Sequence, residues 1–173
     1  HDTCRVLNRL ATSGSYRSTH LDRYQGGLSD EQKEKGKKLL KLISTMQFTL
    51  PGVPCIYYGD EAGTDGGEDP FNRGCYPWGN EDKELIEHSR FLGKLRKEHG
   101  VFAEGEFVPV SAALGCVAYE RKNENERIMT VANRNSHPIV YILPEEGYTA
   151  LYGGRVCGRE LYLEKETAAI IIK

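Results

Sequence analysis

The stretch at residues 52–78 constrains this chain more than any other. It opens Gly-Val-Pro-Cys-Ile-Tyr-Tyr-Gly-Asp-Glu and closes Asp-Pro-Phe-Asn-Arg-Gly-Cys-Tyr-Pro-Trp. Residues 53–58 make a short apolar run that stops at Gly59. An acidic, glycine-rich loop follows, carrying Asp60, Glu61, Asp65, Glu68, Asp69, Arg73 and Trp78. A short run apolar throughout suits a strand buried on both faces. Strand, polar loop and then helix is the layout of a βα unit, whose loop faces the reactive end of an α/β barrel. Carboxylates and a guanidinium can fork onto hydroxyls, and aromatic rings can cover the apolar faces of a sugar. The loop therefore suits a polyhydroxylated ligand.

Helical signals flank this unit. Val6, Leu7 and Leu10 suggest a short helix near the start. Residues 13–28 hold turn formers with Tyr16, His20 and Tyr24 and read as a loop. Ser29 and Gln32 then have the spacing of a capping box, with Asp30 and Glu31 at the positive helix end. Leu39, Ile43 and Met46 recur at helical spacing, widened by Leu40 and Leu42, and Pro51 ends the run. Gly36 costs that helix about 1 kcal/mol relative to alanine. Lys33, Lys35, Lys37, Lys38 and Lys41 read as a solvated face rather than a basic binding patch. Asn80 is the expected cap of the next helix, with Glu81, Asp82 and Glu84 in its first turn. Leu85, His88, Leu92 and Leu95 line one side, and Gly100 is the expected stop.

Beyond residue 100 the helical period vanishes. Alternating runs cover 105–111, 115–122, 127–133, 138–143, 147–152, 159–163 and 167–172, separated by turn formers such as Gly153-Gly154. Strands recurring with regular turns predict a small antiparallel sandwich. The expected division is thus an α/β part over residues 1–100 and an all-β part over residues 101–173.

Charge excludes some partners. The chain has 23 basic and 25 acidic side chains, a net charge of −2. That balance argues against nucleic acid or an anionic membrane as partner. No apolar run approaches the roughly 18 residues of a membrane span. The five cysteines, at 4, 55, 75, 116 and 157, include no Cys-x-x-Cys pair. Reduced thiols in a cytoplasmic protein are the expected state, with a single disulfide as the alternative. No pair has zinc-ligand spacing.

Residues 52–61, 69–73 and 76–78 together resemble glycoside hydrolase family 13, the α-amylase family, and within it the neopullulanase, cyclomaltodextrinase and maltodextrin glucosidase members. Residues 52–61 resemble its eighth barrel strand. Asp69-Pro70-Phe71-Asn72-Arg73 and Tyr76-Pro77-Trp78 resemble the loop after it. His1-Asp2-Thr3-Cys4-Arg5 resembles the end of the motif Asn-His-Asp-Thr-x-Arg that follows the seventh strand. The resemblance implies the last two βα units of an eight-stranded barrel, then a β-sandwich. A full barrel needs about 250 residues, so the chain reads as the C-terminal piece of an enzyme acting on α-glucans.

The resemblance also implies roles. Asp2 would be the acid that stabilises an oxocarbenium-like transition state, whereas on its own it reads as a solvated terminus. His1 would bind the same sugar. Asp69 and Arg73 would clamp substrate hydroxyls; read alone, they are four apart and can form a surface ion pair. Trp78 and Tyr76 read as packing residues before sugar platforms. Asp60 and Glu61 are adjacent, point in different directions, and read as ties between the strand end and its neighbours. Arg5 reads as a brace for the His1-Asp2 loop, and His88 as a core-edge histidine. The 65–69 stretch offers oxygen ligands to calcium without the EF-hand spacing, and no cofactor is otherwise implied. The family's nucleophile and general acid come from motifs before His1. The expected substrate is an α-glucan oligosaccharide, the expected assembly includes a homo-oligomer, and the competing reading is a noncatalytic module that binds glucan or supports the barrel.

Overall fold

The structure is a computed structural model that describes residues 3–12 and 27–173. It divides into two compact units. One holds the described residues up to Lys41 together with Cys55–Phe91, and the other holds Leu42–Pro54 with Leu92–Lys173. The division falls within both long helices.

The first unit is built of helices and loops. Helix α1 spans Val6–Ala11 and buries Leu7, Asn8 and Ala11. Helix α2 spans Asp30–Thr49. The expected capping box opens it: Gln32 N–H donates to Ser29 Oγ at 3.2 Å, and Ser29 N–H donates back to Gln32 Oε1 at 3.0 Å. Leu40, Leu42, Thr45, Phe48 and Thr49 are the deeply buried positions of α2, whereas Leu39, Ile43 and Met46 are half-buried. The core stripe thus includes two threonines that an apolar pattern cannot register. Gly36 is a close contact rather than a mere weak point, since a Cβ there would meet Leu7 Cδ1 at 2.9 Å and the Leu7 carbonyl at 3.0 Å. The lysine face is also less solvated than expected: Lys37 pairs with Glu34 and Asp82, Lys41 with Glu84 and Lys33 with Asp65.

Helix α3 spans Lys83–Glu98 and buries Leu85, His88, Leu92 and Leu95 as the period predicts. Its cap is Asp82 rather than Asn80. Asp82 Oδ1 accepts the Leu85 N–H at 3.1 Å, the geometry of an N-cap.

The expected strand at 53–58 does not form. The segment is non-regular, and Val53 is 93% exposed. A strand exists through ladder hydrogen bonds to a neighbouring strand, and this segment belongs to neither sheet of the described residues.

The second unit carries the remaining elements. Helix α4 is a single turn over Val101–Glu104. The strands are β1 (Glu106–Ala113), β2 (Cys116–Lys122), β3 (Arg127–Asn133), β4 (Ile139–Ile142), β5 (Thr149–Tyr152), β6 (Arg155–Cys157), β7 (Glu160–Leu163) and β8 (Thr167–Ile172). All seven expected runs are strands; β6, three residues long, was not expected. One sheet has the order β1-β2-β3-β8-β5 and the other β4-β7-β6, with antiparallel pairing throughout.

Both sheets feed one apolar core. Ala118, Met129, Val131, Ala169 and Ile171 of the first sheet meet Leu161 and Leu163 of the second, with Leu143 and Tyr148 between them. The opposite face of the first sheet takes Leu42, Ile43 and Met46 of α2 against Val117, Ala132 and Ala168. Strand β8 is therefore covered on both faces, which explains its unbroken Ala-Ala-Ile-Ile sequence. Thr49 and Tyr119 hydroxyls join at 2.7 Å, so the buried hydroxyls of this face satisfy one another.

Candidate active site

The segment that opens the described chain is fastened to the loop that follows residue 57. Arg5 N–H donates to the Gly66 carbonyl at 2.9 Å. Gly66 N–H donates in return to Asn8 Oδ1 at 2.7 Å. Asn72 Nδ2 donates to the Thr3 carbonyl at 2.7 Å. Gly66 is needed here because a Cβ would meet the Phe71 carbonyl at 2.7 Å and Asn72 Cα at 2.9 Å. Two segments far apart in sequence therefore behave as one hydrogen-bonded unit.

Arg5 is the buried centre of this unit, at 2% exposure. Its guanidinium lies 4.5 Å from the ring centroids of both Tyr57 and Tyr58. Nη1 donates to the Tyr58 carbonyl and, at 3.3 Å, to Asp60 Oδ1. The two rings and the carboxylate offset part of the cost of burying this cation, while Nε and Nη2 are buried without a hydrogen-bond partner among the described residues. Burial raises the Asp60 carboxyl above its ordinary value even though Arg5 opposes the shift. Arg5 thus anchors the turn at 57–60, a partner the sequence reading did not assign to it. A cavity of about 510 Å³ opens beside it, lined by Thr3, Cys4, Arg9 and Tyr57 among others.

The turn itself is shaped by Gly59 and Gly63, both at positive φ, which bracket a 3₁₀ turn at Asp60–Ala62. Asp60 does tie the strand-like end to a neighbour, namely Arg5.

A second 3₁₀ turn, Phe71–Arg73, presents the expected clamp residues. Arg73 Nε and Asp69 Oδ1 form an ion pair at 2.6 Å with both side chains about half exposed. The pair spans the turn, and a planar carboxylate beside a planar guanidinium offers forked hydrogen bonds to vicinal hydroxyls. Between them in sequence, Asn72 is 1% exposed. Its role in holding Thr3 was missed in the sequence, where only its place inside the Asp69–Arg73 run hinted at it.

Other candidates separate from this group. Trp78 is 80% exposed and touches Tyr76 only in a tilted contact, 4.5 Å between centroids with the rings at 47°, so it is a surface ring rather than a packed one. His88 is buried on α3, and burial pushes its imidazole down to about 4, as suits a core histidine. Asp65 accepts from Leu28 N–H at 3.3 Å and faces Lys33 at 3.7 Å. Among the described residues no group of three His, Cys, Asp or Glu side chains could hold a metal ion. None of the five cysteines is in a disulfide. No helix of the described residues is long and apolar enough to cross a membrane. His1 and Asp2 lie outside the described residues, as does most of the expected 13–28 loop.

Comparison with known proteins follows the same lines. Residues 1–127 match the family described as alpha amylase, catalytic domain. The maltogenic alpha-amylase of Bacillus acidopullulyticus is 39% identical over 110 residues, covering 60% of this chain and 19% of that protein. The cyclomaltodextrinase of Geobacillus thermopakistaniensis is 33% identical over 135 residues, covering 76% and 23%. In structure, the alpha-amylase of Geobacillus thermoleovorans complexed with acarbose superposes with a TM-score of 0.68 at 27% identity, covering 82% of this chain and 35% of that one. The chain thus matches no more than about a quarter of the length of these curated relatives. The chain belongs to the α-amylase catalytic-domain family, glycoside hydrolase family 13.

Proposed function

We propose that the natural protein carrying this chain hydrolyses α-glucosidic bonds in maltodextrins, pullulan or cyclodextrins with retention of configuration. In this reading residues 1–100 are the last two βα units of a barrel, and residues 101–173 are a supporting β-sandwich. The pairing of residues 53–58 with neighbouring barrel strands would complete the first part.

The observation that carries the reading is the hydrogen-bonded union of residues 3–8 with the loop at 57–72. It joins the chain directly after the His1-Asp2 pair to the loop that bears Asp69 and Arg73. A sugar ring bound there would meet groups from both. Asp2 supplies negative charge where the anomeric carbon becomes cationic, and His1 hydrogen-bonds the same ring. Asp69 and Arg73 hold hydroxyls further along the glucan. The nucleophile and general acid, which a retaining enzyme holds roughly 5 Å apart, come from outside this chain. The 173-residue chain alone is accordingly inactive. The acarbose-bound relative supports a saccharide ligand.

The test is Asp2→Asn in the full-length natural protein. The charge is required in the transition state more than in the ground state, so kcat should fall by on the order of a hundredfold or more with KM little changed. Near-normal kcat would refute the role. Turnover of a maltooligosaccharide by residues 1–173 alone would refute the division of catalytic groups. Tight maltooligosaccharide binding by a full-length protein without turnover would favour a noncatalytic glucan-binding module.

A further inference from the structure

We propose that the cavity beside Arg5 is a carboxylate-binding site, with the Nε–Nη2 edge of Arg5 and the guanidinium of Arg9 as its donors. Binding there is independent of any catalytic role for this chain.

Arg5 is 2% exposed, and its nitrogens are unequally served. Nη1 donates to the Tyr58 carbonyl and to Asp60. Nε and Nη2 have no hydrogen-bond partner among the described residues. These two atoms form one edge of the guanidinium. Their N–H bonds run side by side, a fork that matches the two oxygens of a carboxylate. Buried donors of a charged group are costly to leave unmatched. The edge therefore calls for an acceptor that the described residues do not supply.

The cavity of about 510 Å³ has room for one. Its lining carries two guanidiniums, Arg5 and Arg9, against one carboxylate, Asp60. Arg9 is exposed, lies four residues from Arg5, and is in no ion pair among the described residues. The wall thus holds one positive charge in excess, which a single negative charge balances. A neutral carbonyl would satisfy the fork and leave that charge. A dianion such as phosphate would overcompensate it and be repelled by Asp60, which sits 3.3 Å from Arg5 Nη1. Because Nε and Nη2 are themselves buried, part of the wall must yield as the carboxylate enters. Tyr57 is that part: its half-buried ring lines the cavity and lies 4.5 Å from the guanidinium.

Two sources offer a carboxylate. One is an Asp or Glu side chain from a part of the natural protein outside this chain, which matches no more than about a quarter of the length of its curated relatives. The other is a free carboxylic acid.

The experiment follows the Arg5 Nε–H resonance by NMR, in dilute isotope-labelled 173-residue chain, with assignment carried from the backbone so that Arg5 itself stays unaltered. Acetate should move this resonance along a saturating curve, and sodium chloride at equal ionic strength should not. Inorganic phosphate should bind more weakly than acetate. Arg9→Gln, an exposed change, should weaken acetate about threefold to tenfold, the loss of one charge-assisted contact. A response to acetate no larger than that to chloride would overturn the proposal. So would tighter binding of phosphate, or unchanged acetate affinity in Arg9→Gln. The full-length natural protein separates the two sources. A resonance already at the acetate-saturated position, and indifferent to added acetate, identifies a side chain of the protein as the occupant. A resonance that still titrates with acetate identifies a free acid. One that stays at the unbound position and does not titrate would overturn the site in the natural protein.

Discussion

Lys37 Nζ lies 2.6 Å from Asp82 Oδ2, while the other oxygen of the same carboxylate caps α3 by accepting the Leu85 N–H. One carboxylate therefore does two jobs, pairing α2 with the start of α3 and satisfying an orphan donor of the helix. Burial pushes the Asp82 carboxyl up, but Lys37 and the Leu85 and Glu84 N–H groups outweigh it and hold it below its ordinary value. The same contact raises the Lys37 ammonium.

Asp82→Ala should destabilise the folded chain by about 1–2 kcal/mol, the sum of a lost cap and a half-screened ion pair. Asp82→Asn retains the cap and should cost less than about 1 kcal/mol. Because the folded carboxyl titrates below the unfolded value of about 3.9, its contribution is complete above that pH and declines as pH falls through the folded value. Urea unfolding at neutral and at acid pH reads both effects. Equal losses in Asp82→Ala and Asp82→Asn would show that the cap contributes nothing.

His88 provides a pH dependence in a different window. Burial first, and then the Lys41 ammonium, push its imidazole down to about 4, against an unfolded value of about 6.5. Between those values the unfolded chain takes up a proton that the folded chain refuses. Stability contributed by this group is therefore full above about pH 6.5 and declines as pH falls toward 4. His88→Gln should flatten the slope of the unfolding midpoint over that interval. An unchanged slope would assign the pH dependence to other groups.

The parts of this fold legible in the sequence are those set by local chemistry. Ser29 and Gln32 announce a capping box by spacing alone, and the two bonds are present. Strands β1 to β5, β7 and β8 follow from short β-prone runs broken by turn residues, although β8, covered on both faces, is continuously apolar rather than alternating. The misses are tertiary. Asn80 and Asp82 are both competent caps, and Asp82 is the one whose second oxygen finds Lys37. The apolar run at 53–58 satisfies the pattern for a strand, but pattern does not supply a partner. Gly36 reads as a defect until Leu7 is seen packed against it. Within the candidate site, Asp69 and Arg73 were visible as a four-residue pair. Asn72 was not, because nothing local distinguishes an asparagine that reaches Thr3 from one that faces solvent.

Arg73→Ala in the full-length protein should raise KM for a maltooligosaccharide and lower kcat/KM. In the proposed reading it removes a forked donor to hydroxyls that would be bound in both ground and transition states. Loss of one charge-assisted contact corresponds to about tenfold in kcat/KM. Its ion pair with Asp69 is half exposed and so contributes little to stability, and the unfolding midpoint should barely move. A fall in midpoint at unchanged specific activity would instead identify Asp69 and Arg73 as a purely structural pair.

The segment at 53–58 carries the last prediction. Val53 is 93% exposed and Ile56 43%, an apolar, strand-prone run that no described strand covers. Pro54 removes one donor from its edge without removing the apolar side chains beside it. Strand-prone backbone that belongs to no sheet, beside exposed apolar side chains, favours pairing with another chain. The isolated 173-residue chain should therefore self-associate, with an apparent mass by light scattering that rises with concentration. A second copy supplying the same run is the occupant that fits, because the run is apolar and β-prone on both partners. Val53→Lys with Ile56→Lys should return the chain to monomer, since paired charges at the contact repel and resist burial. Two results would refute this origin for the association. One is a monomeric mass across the whole concentration range for the unaltered chain. The other is association that the two lysines leave untouched.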